Sequence, residues 1–244
     1  MITRFFLTLS LVVFLSGEAL AADKKIVLNT GVRNPFTTAE HNGFLDELYK
    51  EVFRRIGYDA TVSIYEASAR SLKVANDGVD DGVALRIKGL EKKFPNLIRV
   101  PEKVMDNDFV AYSFGLNQEI KGWNSLDNNS IAYIIGWQIF NNNLGHHKDV
   151  IRTKDADQLF SLFKGNRVDY ILYERWQGLW RAQQLGLKVS VHEPPLAKRE
   201  MFMYLHKKHA GLVDKAAAAL ADMKRDGTYQ KIVDRTLTPL LPGN

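Results

Sequence analysis

The distribution of apolar residues along the chain predicts an alternation of strands and helices. Residues 25–29 form a short apolar run, which is typical of a buried strand. Between residues 43 and 56 apolar side chains recur at helical spacing, and Gly57 stands where a helix of that length would end. The further elements predicted in the first third are strands at 60–65 and 83–85 and a helix at 68–76.

A second block continues the same alternation. Strands are predicted at 97–100, 109–114, 131–135, 168–173, 187–191 and 201–205, and helices at 157–164, 176–185, 212–225 and 229–234. Such an order predicts α/β layers with mostly parallel sheets. The pattern is interrupted near residues 114–118 and again near residues 193–200, which include Pro194 and Pro195. Two interruptions of this kind predict two lobes that are joined by two crossing segments.

The first 21 residues are typical of a cleavable secretory signal peptide. Arg4 supplies a positive charge, residues 5–15 form an uncharged apolar run, and Ala19-Leu20-Ala21 offers small residues for cleavage. The run is shorter than the roughly 20 residues that span a bilayer, so a membrane anchor is the less favoured alternative. No cysteine lies near the cleavage site, which argues against a lipoprotein. We expect a mature protein that begins near Ala22 and works in the periplasm.

Composition narrows the possible chemistry. The 244 residues include no cysteine, which excludes disulfides, cysteine nucleophiles and thiolate metal sites. The net charge of +5 comes from basic residues scattered among acidic ones, without the clustering that nucleic-acid binding requires. We therefore expect a monomer with no nucleic-acid partner and a slight preference for anionic ligands.

No motif for catalysis or for a cofactor is recognisable. The chain lacks a Gly-x-Ser-x-Gly elbow, a phosphate-binding loop and a His-Glu-x-x-His motif. His146 and His147, and likewise His206 and His209, have no recognisable third ligand near them in the sequence. The sequence predicts no catalytic residue, no metal and no cofactor, and a protein that is not an enzyme.

Several short segments together resemble a known family. They are Asn34-Pro35-Phe36 and residues 43–48, 76–82, 126–136, 163–169 and 223–229. In their order and spacing they resemble the extracytoplasmic solute-binding proteins of family 3, the polar amino-acid type that serves ABC transporters. The resemblance covers essentially the whole mature chain. It implies the two-lobed, type II periplasmic-binding-protein-like fold, each lobe being a mixed, mostly parallel sheet flanked by helices. Residues 22–114 and 197–244 would form lobe 1 and residues 115–196 lobe 2.

The same resemblance implies where a ligand binds. The family's carboxylate-binding arginine falls nearest Lys93 here, so Arg86, at the end of a predicted strand, becomes the expected anchor for an anionic group. In lobe 2, Trp137 and Gln138 stand where a helix N-terminus would meet a carboxylate. Glu174 stands where relatives place an aspartate for the ligand's amino group. Arg86 as a surface arginine and Glu174 as a helix N-terminal acid are the structural alternatives.

Three further residues at strand ends are candidates for the cleft. Arg33 stands where relatives often carry a stacking aromatic side chain. Phe36 and Tyr65 are equally well explained as core aromatics or as cleft walls.

The function implied is capture of a small polar solute, an amino acid or related carboxylate, and its delivery to an inner-membrane ABC permease. One alternative is an extracytoplasmic enzyme on the same scaffold, similar to cyclohexadienyl dehydratase, with Glu174 as acid or base. The other is a sensory module that reports to a signalling protein.

Overall fold

The computed structural model describes residues 24–115 and 119–241. The predicted signal peptide and part of the predicted connection at 114–118 lie outside the described residues. The strands are β1 (Lys25–Thr30), β2 (Asp59–Ile64), β3 (Gly82–Ile87), β4 (Leu97–Ser113), β5 (Ile131–Ile134), β6 (Val150–Thr153), β7 (Tyr170–Glu174), β8 (Ser190–Val191) and β9 (Ala197–His206). The α-helices are α1 (Phe44–Arg54), α2 (Ser68–Asn76), α3 (Gln138–Asn143), α4 (Ala156–Lys164), α5 (Arg175–Gln184), α6 (Val213–Arg225) and α7 (Thr228–Thr236).

Two parallel groups of strands lie at opposite ends of one continuous sheet, whose order is β2-β1-β3-β9-β4-β7-β5-β6, with β8 beside β4. β1 pairs in parallel with β2 and β3 in the first lobe. β5 pairs in parallel with β6 and β7 in the second lobe. The predicted two-lobed α/β architecture is thereby confirmed. The division at residues 114/115 and 196/197 stays a prediction.

The lobes are joined by β4 and β9, which pair antiparallel from Leu97 opposite His206 to Phe109 opposite Ala197. Beyond this ribbon, β4 continues into the second lobe and pairs with β7. In the ribbon Asp108 lies opposite Lys198, whose Nζ is 3.8 Å from Oδ1 of Asp108. Opposite charges across an antiparallel pair favour that register.

The main differences between the predicted and the observed strands concern β4, β9 and β6. The strands predicted at 97–100 and 109–114 are one strand of 17 residues, because the polar residues between them lie on the ribbon rather than in a turn. β9 begins at Ala197, four residues before the predicted start. Residues 198–200 are charged and interrupt the apolar pattern, but they pair with β4 and belong to the strand. β6 was not predicted, since Thr153 is its single fully buried residue.

The first lobe is built around α1, whose apolar face is buried against the sheet. Phe44, Leu48 and Val52 are fully buried and share the core with residues of α6. At the start of the helix the Asp46 carboxylate accepts hydrogen bonds from the backbone N–H groups of Gly43 and Thr38, both at 3.0 Å. This capping fixes the loop between β1 and α1, which carries Arg33.

The end of the described chain reaches from the first lobe to the second. α7 packs against α1, and Arg235 forms an ion pair with Glu47. Residues 237–241 then form what we call the C-terminal strap. It contacts α5 of the second lobe, where the Gln183 side-chain amide donates to the carbonyl oxygen of Pro239 at 3.4 Å. Leu240 and Leu241 pack against the second lobe's core.

No helix within residues 24–115 and 119–241 combines the length and the apolar character needed to cross a membrane.

Candidate ligand-binding cleft

A cleft of about 1090 Å³ lies between the lobes. The first lobe contributes the loop after β1 and the end of β3, and the second lobe contributes the segments that follow β5, β6 and β7. The ribbon of β4 and β9 supplies Asn107, Phe109, Arg199 and Met201. The cleft therefore lies where the carboxyl ends of both parallel groups meet, the usual ligand position in open α/β sheets.

Arg86 lines this cleft from the end of β3, and its predicted contact with an anionic group stays a prediction. Its guanidinium donates to the carbonyl oxygen of Leu85 at 3.3 Å and to Oγ of Ser71 at 3.5 Å. Burial lowers the pKa of Arg86, but an arginine stays charged at any physiological pH. A half-buried permanent cation on the cleft wall is suited to hold an anionic group.

A buried polar network lies behind Arg86. Ser71 donates to the Asn29 side chain at 2.6 Å, and Asn29 donates to the Asp80 carboxylate at the same distance. Ser71, Asn29 and Asp80 are all buried. Because each member is hydrogen-bonded, the network fixes Ser71, which in turn contacts the guanidinium of Arg86.

Four arginines and three carboxylates line the cleft. The cations are Arg33, Arg86, Arg181 and Arg199, and the anions are Glu66, Asp155 and Asp157. Arg33 and Glu66 pair across the first lobe at 3.7 Å, and Arg181 pairs with Asp157 in the second. The cleft therefore carries a small excess of positive charge, to which Arg33 contributes, and contact of Arg33 with a ligand stays a prediction.

Trp137 lines the cleft, but other aromatic rings hold it in place. It stacks on Tyr173 with a centroid distance of 4.8 Å and on Phe140 at 5.7 Å, and it meets Phe109 edge-on at 5.8 Å. The predicted narrowing of the cleft by Trp137 fits this position. A ligand would meet a preformed aromatic wall rather than a freely rotating indole.

Gln138 is the first residue of α3 and also lines the cleft. Trp137 is the N-cap of this helix, and Gly136 before it adopts a φ of 88°, which favours glycine. The short helix places the side chain of Gln138 in an exposed position on the second lobe's wall.

Glu174 does not line the cleft, although its neighbours Tyr173 and Gln177 do. Its side chain is 1% exposed and caps α5, with Oε2 accepting from the backbone N–H of Gln177 at 2.8 Å. Oε1 has no hydrogen-bond partner among the described residues. Burial raises the pKa of Glu174 to about 8, and the nearby charge of Asp108 adds to the shift. The structure thus favours the helix-cap alternative over contact with a ligand.

A raised carboxyl pKa makes stability depend on pH. Because Glu174 binds its proton more tightly in the folded than in the unfolded protein, the free energy of unfolding should fall as pH rises from about 4.5 to about 8. The slope from one such group is at most about 1.4 kcal/mol per pH unit. Urea unfolding at several pH values should show that Glu174→Gln loses this decline. The exposed Glu40→Gln should keep it, and a decline of equal slope in both variants would contradict the assignment.

Phe36 and Tyr65 also lie outside the cleft lining. Phe36 is 1% exposed and packs edge-on against Phe44 in the first lobe's core. Burial raises the pKa of Tyr65 and the nearby Asp80 carboxylate adds to the shift, so Tyr65 lies beside the network behind Arg86 rather than in the cleft lining. Both residues follow strands that end at the cleft, and the sequence alone does not reveal which way each ring points.

Most of the second lobe's wall was not predicted. The missed residues include Asn142, Asp155, Asp157, Gln177, Trp180 and Arg181, and from the ribbon Asn107, Phe109, Arg199 and Met201. The sequence feature that these residues share is that each follows or belongs to a strand that ends at, or runs through, the boundary between the lobes. For Asp155 and Asp157 that signal was hidden because β6 itself was not predicted.

The histidine pairs are engaged in other contacts. Nε2 of His147 lies 2.8 Å from the carbonyl oxygen of Leu126, and Nε2 of His209 lies 2.7 Å from Oδ1 of Asp81. In the part of the chain that the structure describes, no three His, Asp or Glu side chains are grouped so that they could hold a metal ion.

Comparison of sequences gives one distant relative and no family. No family model matches the chain. An uncharacterized protein of Shewanella oneidensis is 25% identical over 199 residues, which cover 78% of this chain and 75% of that protein. This relative has no assigned activity to compare.

Solved structures match a larger part of the chain. The second substrate-binding domain of Lactococcus lactis GlnP, in an open conformation, superposes with a TM-score of 0.71 at 16% identity. The match covers 89% of this chain and 97% of that domain. The fold is that of the two-lobed periplasmic binding proteins.

Two further structures show the same fold in other settings. The GluR0 ligand-binding core in complex with L-glutamate has a TM-score of 0.71 at 12% identity, covering 89% of this chain and 99% of that one. A histidine kinase sensor domain with similarity to periplasmic binding proteins has a TM-score of 0.67 at 15% identity, covering 88% and 96%. At these identities the periplasmic-binding-protein fold is shared, and the ligand has to be argued from the cleft.

Proposed function

We propose that this protein is an extracytoplasmic receptor that captures a small anionic solute between its two lobes. The observation that carries the proposal is the cleft itself, which has a half-buried arginine on the first lobe's wall and polar and aromatic groups on the second. The L-glutamate bound by the GluR0 core carries carboxylate groups, the chemical feature that a half-buried arginine is suited to hold.

Capture of a ligand follows from the placement of its contact residues on two different lobes. Arg86 belongs to the first lobe and Trp137 and Gln138 to the second, so a ligand that touches both stabilises the closed state over the open one. The ribbon of β4 and β9 connects the walls and absorbs the motion. Register shifts interrupt its pairing between Arg99 and Lys103 and between Lys103 and Met105, which gives the hinge irregular backbone.

Binding without turnover fits the cleft better than catalysis. The enzyme alternative relied on Glu174 as an acid or base, and that carboxyl is buried behind the wall as a helix cap. A general acid or base must come within hydrogen-bond reach of its substrate.

Ligand binding should compact the molecule and stabilise it. The compound that co-purifies with the protein, identified by mass spectrometry, is the natural probe. At a concentration one hundred times its Kd it should raise the free energy of unfolding by about 2.7 kcal/mol. Small-angle scattering should show a smaller radius of gyration in its presence. Binding proven by calorimetry without any compaction would rule out the hinge model, and steady product formation would favour an enzyme.

The closed form would then be recognised by an inner-membrane ABC permease, as the GlnP substrate-binding domain suggests. The histidine kinase sensor domain of the same fold favours sensing as the second candidate. The predicted signal peptide places either role in the periplasm. A deletion strain that loses uptake of the radiolabelled ligand supports transport, whereas unchanged uptake with an altered transcriptional response supports sensing.

A further inference from the structure

We propose that the cleft selects carboxylates that have an apolar or aromatic body and lack an α-ammonium group. The proposal rests on the proposed function and narrows its ligand class. It is based on the partners that the carboxylates in the cleft already have and on the apolar side chains in the cleft lining.

Each carboxylate on the cleft wall already has a partner. Glu66 lies beside Arg33, and Asp157 is paired with Arg181. Asp155 accepts the backbone N–H of Gln158 at 2.8 Å and lies 3.8 Å from the ammonium of Lys154. A ligand's ammonium group would have to compete with an existing cation or a helix cap at each of these three carboxylates. Burying an ammonium without a free carboxylate beside it carries a large desolvation cost, because an amide oxygen can accept a hydrogen bond but does not neutralise the charge.

Glu174, at the end of β7, cannot serve as the partner of a ligand's ammonium group either. Glu174 is withdrawn from the cleft into the cap of α5, behind the wall formed by Tyr173 and Gln177. Burial raises its pKa to about 8, so near neutral pH it is mostly uncharged. It therefore supplies neither a contact nor a full negative charge to a cationic group in the cleft.

Cationic side chains that could hold an anion lie in both walls. Arg86 stands in the first lobe, and Arg181 in the second lobe has a buried Nε–H without a hydrogen-bond partner among the described residues. Arg199 on the ribbon is exposed, and one of its nitrogens donates to the neighbouring carbonyl oxygen of Lys198. The polar part of the cleft is thus prepared for negative charge.

Apolar side chains form a second part of the lining, beside the amides of Asn34, Asn107, Gln138, Asn142 and Gln177. The side chains that could cover a ligand's body are Ile87, Phe109, Trp137, Ile139, Tyr173, Trp180 and Met201. Ile87 is 51% exposed next to Arg86, so its side chain is accessible to the apolar body of a ligand. An anionic head group held by Arg86 would place an apolar body against these residues.

Matched pairs of compounds test the inference directly. Each pair is an L-amino acid and the same molecule without its amino group: phenylalanine and 3-phenylpropanoate, tryptophan and 3-(indol-3-yl)propanoate, norleucine and hexanoate. Calorimetric titration of the mature protein should give a lower Kd for the deaminated member, by roughly tenfold or more in the pair that binds best. Tighter binding of the amino acid, equal binding within the pair, or no binding by any member would overturn the ligand class.

A variant identifies the cause of the preference. In Arg181→Gln the carboxylate of Asp157 loses its partner and becomes available to an ammonium group. The ratio of the two Kd values within a pair should therefore fall towards one, whatever happens to the absolute affinity. A ratio that stays at its wild-type value would overturn the argument from paired carboxylates.

The two proposals fail in different ways. If amino acids bind more tightly and compact the protein, the ligand class is wrong while capture between the lobes stands. If a deaminated compound binds more tightly without compaction, the ligand class stands while the hinge mechanism fails.

Discussion

Replacing Arg86 with alanine is expected to weaken the binding of an anionic ligand by a factor on the order of one hundred or more. The loss of one partner from a desolvated charge pair typically costs about 2–5 kcal/mol, whereas an exposed surface pair contributes less than about 1 kcal/mol. Arg86 is half-buried at the cleft and supported by Ser71, so the larger range applies. Calorimetric titration with the tightest-binding carboxylate of the matched pairs measures the change.

Two further variants separate the ligand contact from general charge effects. Arg86→Lys should recover only part of the affinity, because an ammonium group cannot form two parallel hydrogen bonds to one carboxylate. Arg167→Ala removes an exposed arginine outside the cleft lining and should leave affinity unchanged. Wild-type affinity in Arg86→Ala, with an unchanged melting temperature, would show that the anchor lies elsewhere.

Replacing Gly82 with alanine is expected to destabilise the fold by about 3 kcal/mol, towards the upper end of what overpacking usually costs. Gly82 begins β3 where this strand lies against β9. A Cβ atom there would overlap the carbonyl oxygen of Tyr204 and lie 3.1 Å from the Cα atom of Leu205. Backbone atoms cannot rotate away as a side chain can, so the two strands would have to separate.

Urea unfolding measures this effect against a matched glycine. Gly211→Ala introduces the same methyl group at a position with no atom within 4 Å of the added Cβ, so its stability should stay close to that of the wild type. Equal stability of Gly82→Ala and Gly211→Ala would show that β3 and β9 tolerate a wider separation than the structure has.

The fold could be predicted well because its elements carry strong local signals. The apolar stripe of residues 43–56 and the alanine-rich helix at 212–225 appear as α1 and α6 with small shifts at their ends. The hinge was less accessible to prediction. Its strands carry charged and polar residues at 106–108 and 198–200 that interrupt the hydrophobic pattern, although they pair across the ribbon.

The candidate site was predictable only in part. Arg33, Arg86, Trp137 and Gln138 line the cleft, since each stands at or just beyond the end of a strand. Position along a strand does not determine direction, however. Tyr173 faces the cleft while the adjacent Glu174 caps a helix, and a change of one residue in that alternation moves a carboxylate from the ligand to the interior. Most of the second lobe's wall is formed by residues that come together only through contacts between distant segments, and no local sequence pattern encodes such contacts.

The C-terminal strap has a consequence for how affinity is set. Leu240 and Leu241, carried on a chain that is anchored in the first lobe, are packed on the second, so any rotation of the lobes has to slide or break these contacts. The apparent affinity of a receptor depends on how much of its population is in the binding-competent arrangement. The contacts of the C-terminal strap therefore contribute to the balance between the open and the closed arrangement. Substitutions in the strap can tune affinity while every contact to the solute stays the same.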